Sequence, residues 1–434
     1  MSIGISTISS PYASDLSVNA PTFALTIENA SIPVGVTRLI QSIQYDSADG
    51  MADMMKIIFR DPTPMHPNGL KSAGGLNGIG NIGSSNGKEM TLKNTKIIQP
   101  GNQISLFGGY GPNLKHIGRA IVRRVKPNYP RDDIPSIEVV AYTKDSVMMD
   151  SAPEKSKRTR ERKHKDGRVY KNTTYAEAIM DRASDYDFEL DVDPTFDKPH
   201  NFIQKVGLSD YDFVKGISNI TGFYFWVDGD SNGKWTIHFK DPNKLSKNII
   251  QDKVYTFSYN QTEYSTLLEF EPELVVHNAI TKIEVKVKDP KTGKILESKI
   301  EENNDLAPEV LVNVSGDTLR AVDQALNGNY TTASDVKIFL EDYSFEVKTS
   351  RRFESEEELA IWTRQWYRRH RENFVMASGT IIGIENVMAR QIHNLTGLGC
   401  GLDGEYFFST VTHKFGVEGY TLDCNMRKIV PVLE

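Results

Sequence analysis

The sequence is poor in cysteine and has no long apolar run. Its 434 residues include two cysteines, a number that fits a reducing compartment better than a disulfide-dense secreted domain. No segment approaches the roughly 18 apolar residues of a membrane span. The N-terminal residues lack the basic start and apolar segment of a signal peptide, so we expect synthesis and residence in a reducing cytosol. Cys400 and Cys424 are predicted to be unpaired thiols that act as small apolar side chains, with pairing across neighbouring strands as the alternative.

Recognisable catalytic motifs are also missing. The sequence has no P-loop, no dinucleotide fingerprint, no Gly-x-Ser-x-Gly and no His-Glu-x-x-His. The nine histidines are scattered without metal-ligand spacing, and His413, on a predicted strand, is interpreted as structural. Carboxylates are abundant, and Glu385, between Ile384 and Asn386-Val387, is the one weak candidate for a perturbed acid. We therefore predict a protein that is not an enzyme and that uses no cofactor and no metal.

Length and composition indicate a soluble protein of several domains. At 434 residues the chain exceeds one ordinary hydrophobic core, so two to four domains are expected. An apolar content of 39% and a charged content of 25% are typical of globular proteins, and the net charge of -6 indicates no particular partner.

The C-terminal region has the pattern of a small antiparallel barrel. β-branched and aromatic runs lie at 378–384, 391–395, 405–415 and 420–426, without room for a helix between them. Glycine-containing turns separate these runs, and the glycines that define the turns are Gly397, Gly404 and Gly419.

The N-terminal region repeats this pattern. Strands are predicted at 22–28, 36–45, 54–59, 96–107, 117–126 and 136–142. Within the fourth of these segments, Pro100 and Gly101 are predicted to form a turn that opens the run 102–107, and Gly108 is predicted to end that run in a second turn. Because similar patterns occur at both ends of the chain, an internal duplication is the leading hypothesis for its organisation.

The predicted fold class is mainly β with an α+β insert. It comprises two tube-like antiparallel β-barrel domains, a smaller mixed domain and peripheral helices. We assign 1–21 to an N-terminal arm, 22–150 to the first barrel, 151–254 to the insert, and 255–434 to the second barrel, with a helical insertion at about 305–375. A glycine-rich stretch at 63–88 is interpreted as a long loop, either functional or disordered.

A basic stretch opens the insert. From Glu154 to Lys171 the sequence contains nine lysines or arginines and three acidic residues. One interpretation is contact with nucleic acid or an acidic partner, and the other, which we favour, is a solvated linker. The candidate contact residues are Lys155, Lys157, Arg158, Arg160, Arg162 and Lys163.

Helix signals and one turn complete the pattern. Thr174 and Glu177 have the spacing of a capping box, Ser209 is predicted to cap a second helix that stops at Gly222, and 354–373 is predicted to be a third helix. The turn 228–233 imitates the start of a calcium loop, but it lacks the glutamate at the twelfth position and lies between strands, so a plain hairpin turn is favoured.

Three regions together resemble the baseplate hub proteins of contractile phage tails, the late control gene D family, which is related to the hub part of type VI secretion spikes. They are the barrel around Pro-Gly-Asn-Gln-Ile-Ser-Leu-Phe-Gly at 100–108, the insert from 174 to 239, and the C-terminal pattern from Gly379 through 402–414 to 419–422.

The resemblance implies a structural function. A homotrimer with two tube-like barrels per chain would form a pseudo-sixfold ring that joins the central spike to the tail tube. The implied partners are the spike protein, tail tube or tube-initiator proteins, and possible tape measure and baseplate wedge proteins, with no membrane and no sequence-specific nucleic acid. The implied location is the tail baseplate of the virion, assembled in the host cytoplasm.

Two other functions compete with the hub. One is a β-rich cell-wall hydrolase, that is, a peptidoglycan- or polysaccharide-cleaving enzyme or tail-associated lysin, in which Trp362 and Trp366 would stack on sugars. Their spacing of four on a predicted helix favours core packing instead. The other is the spike itself, but the sequence lacks the short β-helix repeats of a needle.

Overall fold

The computed structural model describes the chain in segments, and all structural statements below concern these segments. They are 21–32, 34–60, 98–111, 114–131, 133–151, 167–241, 253–259, 265–274, 282–288, 293–301, 344–347, 353, 356–371, 373, 375–399, 402–416 and 419–429.

The N-terminal part is built almost entirely from strands. Two short helices accompany seven strands: β1 Pro21–Ile27, β2 Ala30–Ser31, α1 Val34–Thr37, β3 Ile40–Ala48, β4 Met54–Arg60, β5 Gln103–Tyr110, β6 Lys115–Asn128, β7 Ser136–Tyr142 and α2 Asp145–Met149.

The insert combines two longer helices with five strands. They are β8 Gly167–Thr173, α3 Tyr175–Ser184, β9 Glu189–Val192, β10 His200–Lys205, α4 Asp210–Thr221, β11 Tyr224–Gly229 and β12 Trp235–Lys240.

Nine strands and one helix follow in the described C-terminal segments. They are β13 Thr256–Ser258, β14 Leu267–Leu274, β15 Lys282–Lys288, β16 Ile295–Glu301, β17 Ser344–Val347, α5 Glu356–Arg371, β18 Val375–Ile382, β19 Gln391–Thr396, β20 Gly404–Gly416 and β21 Gly419–Lys428. Taken together, these elements confirm the predicted fold class of a mainly β protein with an α+β insert.

One sheet of 13 strands joins the two ends of the chain. Its order is β14-β18-β21-β20-β3-β4-β7-β6-β5-β1-β2, and β19 and β13 extend it from β20. The two halves meet where β3 pairs antiparallel with β20, with Tyr45 opposite His413. One apolar core lies behind the sheet and includes residues of both halves, such as Ile57 and Leu422. The two predicted strand groups therefore share a sheet and a core.

The insert has a core of its own. Helices α3 and α4 pack with the sheet β11-β12-β9 and the hairpin of β8 and β10 around buried residues such as Ile179, Val214 and Phe239. Thr174 and Glu177 form the predicted capping box, and the Ser209 hydroxyl accepts a hydrogen bond from the Asp212 backbone N–H. Gly222 ends α4 with a φ of 79°, a left-handed conformation that favours glycine. These local predictions are confirmed.

A small third unit contains the predicted C-terminal helix. Strands β16, β15 and β17 form a sheet, and α5 packs on it through Leu359 and Tyr367. Trp362 and Trp366 are partly buried against the same core, which confirms core packing as their role. The first two residues of the predicted helix, 354 and 355, lie outside the described residues, as does most of the predicted helical insertion. No helix in the described segments is both long enough and apolar enough to cross a membrane.

Two strand predictions are wrong in part. The predicted strand at 36–45 begins only at Ile40, because Val34–Thr37 forms a helical turn in which Leu39 N–H bonds to the Val36 carbonyl at 3.0 Å. The strand predicted from 96 begins at Gln103, since Asn102 closes a turn onto the carbonyl of Gln99. In both places apolar residues precede the strand (Val36 and Leu39 before β3, Ile98 before β5), so the pattern alone does not mark the boundary.

Candidate assembly interface

The sheet has one polar, open face. Side chains alternate along each strand, so that one set enters the core and the other faces outward. Across β14, β18, β21, β20 and β3 the outward set forms an open groove of about 420 Å³. Its lining includes Glu269, Glu271, Thr380, Thr412, Lys414 and Asp423.

Hydrogen bonds and ion pairs connect neighbouring strands on this face. Lys414 on β20 forms an ion pair with Asp423 on β21, and the Thr380 hydroxyl on β18 donates to Asp423 Oδ1 at 3.2 Å. The groove is therefore hydrophilic, and ion pairs and hydrogen bonds within one chain connect its strands. It is a polar, solvent-facing surface and not an apolar ligand pocket.

Strand β20 is the branch point of the sheet. Residues 404–408 pair with β19, whereas residues 410–415 pair with β3, and β21 follows the opposite edge of β20 along both parts. The register shift between Phe408 and Thr410 marks a β-bulge at Ser409. The Ser409 carbonyl accepts from Asp49 N–H at 2.8 Å, and the Phe408 carbonyl accepts from Arg390 N–H at 2.7 Å. At the bulge, the backbone partner of β20 therefore changes from a residue of the C-terminal half, Arg390, to a residue of the N-terminal half, Asp49.

A buried ion pair stabilises this junction. Arg390, whose backbone φ is 69°, places its guanidinium 3.4 Å from the Asp53 carboxylate, and both side chains are 5% exposed. Arg390 also donates to the Ala48 carbonyl at 2.6 Å and to the Ser47 hydroxyl at 3.0 Å. Burial raises the pKa of Asp53, and the charge of Arg390 opposes that shift. The pair connects the β3–β4 hairpin to the segment before β19.

A second buried carboxylate extends this cluster toward the insert. The Thr143 hydroxyl donates to Asp145 Oδ1 at 2.7 Å and accepts from Asp53 N–H at 3.0 Å. Burial raises the pKa of Asp145 to about 7, although its hydrogen bond with Thr143 acts in the opposite direction. Since Asp145 is 1% exposed, its carboxyl group is unavailable to a dissolved polymer.

The insert docks on the C-terminal strands through aromatic contacts. Tyr224 of β11 stacks on Phe407 of β20 with ring centroids 5.2 Å apart. The Arg427 guanidinium lies 4.3 Å from the centre of the Phe407 ring and donates to the Tyr224 hydroxyl at 2.6 Å. The Arg390 guanidinium lies 5.0 Å from the centre of the Trp226 ring. The insert is therefore attached to the same junction that joins the two halves.

The predicted site residues have different outcomes. The six basic candidates, Lys155, Lys157, Arg158, Arg160, Arg162 and Lys163, lie outside the described residues, and so does Cys400, whereas Cys424 is a buried free thiol. Of the predicted turn glycines, Gly101, Gly397, Gly404 and Gly419 have positive φ values.

Gly108 is a correction. It lies inside β5 instead of ending it. A Cβ atom there would come within 2.4 Å of the Phe415 ring and 2.6 Å of Ile117 Cδ1. The glycine is therefore required by side-chain packing and not by a turn, a distinction that sequence alone does not reveal.

The remaining chemical candidates have structural partners. The His413 ring is fully buried between the Tyr420 hydroxyl at 2.8 Å and the Val387 carbonyl at 2.9 Å, and burial lowers its pKa to about 3. Glu385 forms an ion pair with Lys115 at 2.8 Å. In the turn 228–233, Asp230 accepts hydrogen bonds from the backbone of Asn232 and Lys234, which fits the favoured hairpin turn. The described residues contain no group of three or more potential ligands placed to bind a metal.

Sequence reasoning missed the Arg390–Asp53 pair. Each residue is an isolated charge among apolar neighbours, Asp53 beside Met54 and Arg390 beside Ala389. Such a position is a weak signal of a buried ion pair, but it does not identify the partner.

Comparison with known proteins finds one matching family model and a set of solved structures with a similar fold. A family model described as the Alg8 N-terminal domain matches residues 81–416, more than half of the chain. No curated protein sequence matches this chain.

Several solved structures share the fold, among them the following three. The prophage MuSo2 43 kDa tail protein from Shewanella oneidensis has a TM-score of 0.58 at 10% identity, over 94% of this chain and 98% of that one. The tail protein from Neisseria meningitidis MC58 has a TM-score of 0.57 at 9% identity, over 94% and 97%. The E. coli c3393 protein, described as a component of the type VI secretion system, has a TM-score of 0.50 at 10% identity, over 94% and 77%. At these identities the likeness establishes a common fold.

Proposed function

The chain belongs to the family of the Alg8 N-terminal domain, and we propose that it is the structural baseplate hub of a contractile phage tail, of the late control gene D type. In this function three copies form a pseudo-sixfold ring between the central spike and the tail tube. The tail-protein fold over 94% of the chain supports a role in such an assembly.

The observation that carries the proposal is the continuous sheet. Strands from both halves of the chain form one wall with a polar open face and a shared apolar core behind it. A wall that closes with copies of itself encloses a channel, and the polar side chains that β14, β18, β21, β20 and β3 direct to one side would line it. The two halves would each supply one sector, so that three chains supply six.

The buried junction fits a part that transmits force without changing shape. Arg390 joins the β3–β4 hairpin to the C-terminal strands, and its ring contact with Trp226 includes the insert. A load applied to one half is thereby passed to the other through a packed core and a buried ion pair. The proposed partners at the two ends of the ring are the spike protein and the tube or tube-initiator protein.

A structural role also accounts for the two tryptophans of the enzymatic alternative and for the two buried carboxylates. Trp362 and Trp366 are partly buried against the core of the third unit, so packing accounts for their spacing of four on the helix. Asp53 and Asp145 have raised pKa values, but both are buried in the junction and hydrogen-bonded within the chain. Their environment is that of fold-stabilising groups.

Native mass spectrometry of the purified chain tests the proposal. The protein is measured alone and after mixing with the spike protein encoded in the same genome. A trimer, or a monomer that enters a 3:3 complex with the spike, is the expected result. A chain that stays monomeric in both conditions would overturn the hub function, and cell-wall hydrolysis assays would then test the enzymatic alternative.

A further inference from the structure

Within the 13-stranded sheet, eight consecutive strands run from β14, at one end of the sheet, to β6, which pairs with β5 over only part of its length. From β14 to β6 the order is β14-β18-β21-β20-β3-β4-β7-β6, and each neighbouring pair is antiparallel. Since the number of strands is even, β14 and β6 run in opposite directions. A second copy placed edge to edge would therefore continue the antiparallel alternation.

Each end of this run has an unpaired edge in the described segments. Strand β14 pairs with β18 only. Strand β6 loses its partner β5 after Ile121, and Val122 makes the last backbone contacts with the turn at Gly101 and Asn102. Residues 123–128 of β6 then pair with β7 alone. Open edges of this length attract another strand unless they are blocked.

The β14 edge is acidic. Glu269, Glu271 and Glu273 alternate along the strand and face the same side as Thr380 and Ser378 of β18. All three side chains belong to exposed residues, and none forms an ion pair with another described residue. The edge therefore presents a row of three exposed negative charges.

The β6 edge is basic on the same side of the sheet. The register places Arg124 opposite Val140, which lies opposite Lys56, Gln44 and Lys414 in successive strands. Lys126 lies two residues after Arg124 on β6, so it faces the same side of the sheet, and it is opposite Glu138. Arg124 reaches Glu138 at 2.9 Å, whereas Lys126 is exposed and has no carboxylate within ion-pair distance among the described residues.

We infer that β14 of one copy lies antiparallel beside residues 123–128 of β6 in the next copy, with Glu269, Glu271 and Glu273 facing Arg124 and Lys126. This inference rests on the proposed ring and identifies the edges that close it. Opposite charges on neighbouring strands stabilise the pairing. Two β14 edges would instead oppose glutamate with glutamate, so the charge pattern disfavours a twofold dimer and favours the head-to-tail contact of a ring.

Proline increases the importance of these charges. Pro272 in β14 and Pro127 in β6 each lack a backbone N–H, so the new ladder has fewer hydrogen bonds than an uninterrupted pair of strands. Side-chain ion pairs then contribute more to the choice of partner edge. Because the charged residues of both edges are exposed to solvent, high salt is expected to weaken the ion pairs between them and so the assembly.

Charge reversal on full-length protein tests the inference. One variant carries Glu269→Lys, Glu271→Lys and Glu273→Lys, a second carries Arg124→Glu and Lys126→Glu, and a third carries all five changes. A control reverses two exposed lysines of the insert, Lys171→Glu and Lys205→Glu. Each is measured by native mass spectrometry, alone and with the spike protein, and circular dichroism checks that each is folded.

The expected result is loss of the trimer in the first two variants and its recovery in the third. The five-change variant should form trimers with itself but not mixed trimers with the unaltered chain, because its edges have exchanged sign. The control should remain trimeric. Trimers that persist in both single-edge variants would overturn the edge assignment and leave the ring intact, whereas an unaltered chain that never forms trimers would overturn the ring as well.

Discussion

The guanidinium of Arg390 and the carboxylate of Asp53 lie 3.4 Å apart in the protein interior although 337 positions separate them in the chain. Asp53 also accepts from the Ala48 backbone N–H at 3.2 Å, and the Tyr45 hydroxyl donates to it at 3.3 Å. Both charges are therefore desolvated and hydrogen-bonded, the condition under which removing one partner is most damaging.

Removing Arg390 alone should strongly destabilise the fold. We expect Arg390→Met to lower the free energy of unfolding by about 3–5 kcal/mol, because the Asp53 carboxylate remains buried without its counter-charge. Asp53→Asn combined with Arg390→Met should lower it by less than the sum of the two single changes. Urea denaturation of the four proteins measures this coupling. Strictly additive losses would show that the two groups do not interact, and Lys234→Ala, at an exposed ion pair with Glu189, serves as the low-effect control.

Two glycines after β19 provide a matched comparison. Gly397 and Gly399 have φ values of 82° and 65°, but a Cβ atom on Gly397 would meet the Tyr259 carbonyl oxygen at 2.3 Å, whereas one on Gly399 meets nothing within 4 Å. Both alanine substitutions incur the left-handed penalty of about 1–2 kcal/mol. Gly397→Ala should lose clearly more stability than Gly399→Ala, because its backbone contact has to shift. Equal melting temperatures for the two variants would contradict the contact.

The buried His413 should make the protein sensitive to acid. Burial lowers its folded-state pKa from 6.5 to about 3, so the unfolded chain binds a proton that the folded chain does not. Its contribution to stability is complete above pH 6.5 and is lost as the pH falls toward 3. One such group accounts for about 2 kcal/mol between pH 7 and pH 5.

The comparison for His413 is made with His413→Gln. Asp145, whose pKa is raised to about 7, acts with the opposite sign: its folded-state preference for the proton favours folding at low pH and is lost as the pH rises through about 7. The difference between the two proteins isolates the histidine. We expect denaturation curves to show that His413→Gln loses less stability than the unaltered protein between pH 7 and pH 5, and parallel losses would contradict a neutral buried imidazole.

Docking of the insert should depend on the Tyr224 ring more than on its hydroxyl. Tyr224→Phe keeps the stack on Phe407 and loses the hydrogen bond from Arg427, so we expect a small effect. Tyr224→Ala removes both contacts and should expose the Phe407 face. Hydrogen exchange of β11 and β20 measures the result, with faster exchange expected in the alanine variant only. Similar protection in both variants would show that the stack does not attach the insert.

Local signals were sufficient for much of the secondary structure. Thr174 and Glu177 are close in sequence and complete a capping box wherever the helix forms, and Gly222 marks the helix end because few other residues adopt its backbone conformation. The strand pattern around Phe407 and Leu422 likewise follows from alternation along single strands. Gly108 shows the limit of this reasoning, since its role depends on Phe415, which lies on a strand far along the chain.

The sequence by itself determined the β-rich class, the mixed insert and its helix ends, because these depend on residues within a few positions of one another. Only the tertiary structure decided that β3 pairs with β20, that Arg390 meets Asp53, and that Glu269 and Glu271 of β14 line the same groove as Lys414. These relationships depend on strand register, in which a shift of one residue moves every side chain to the opposite face. They also join residues hundreds of positions apart, and such contacts are selected by packing of the whole chain.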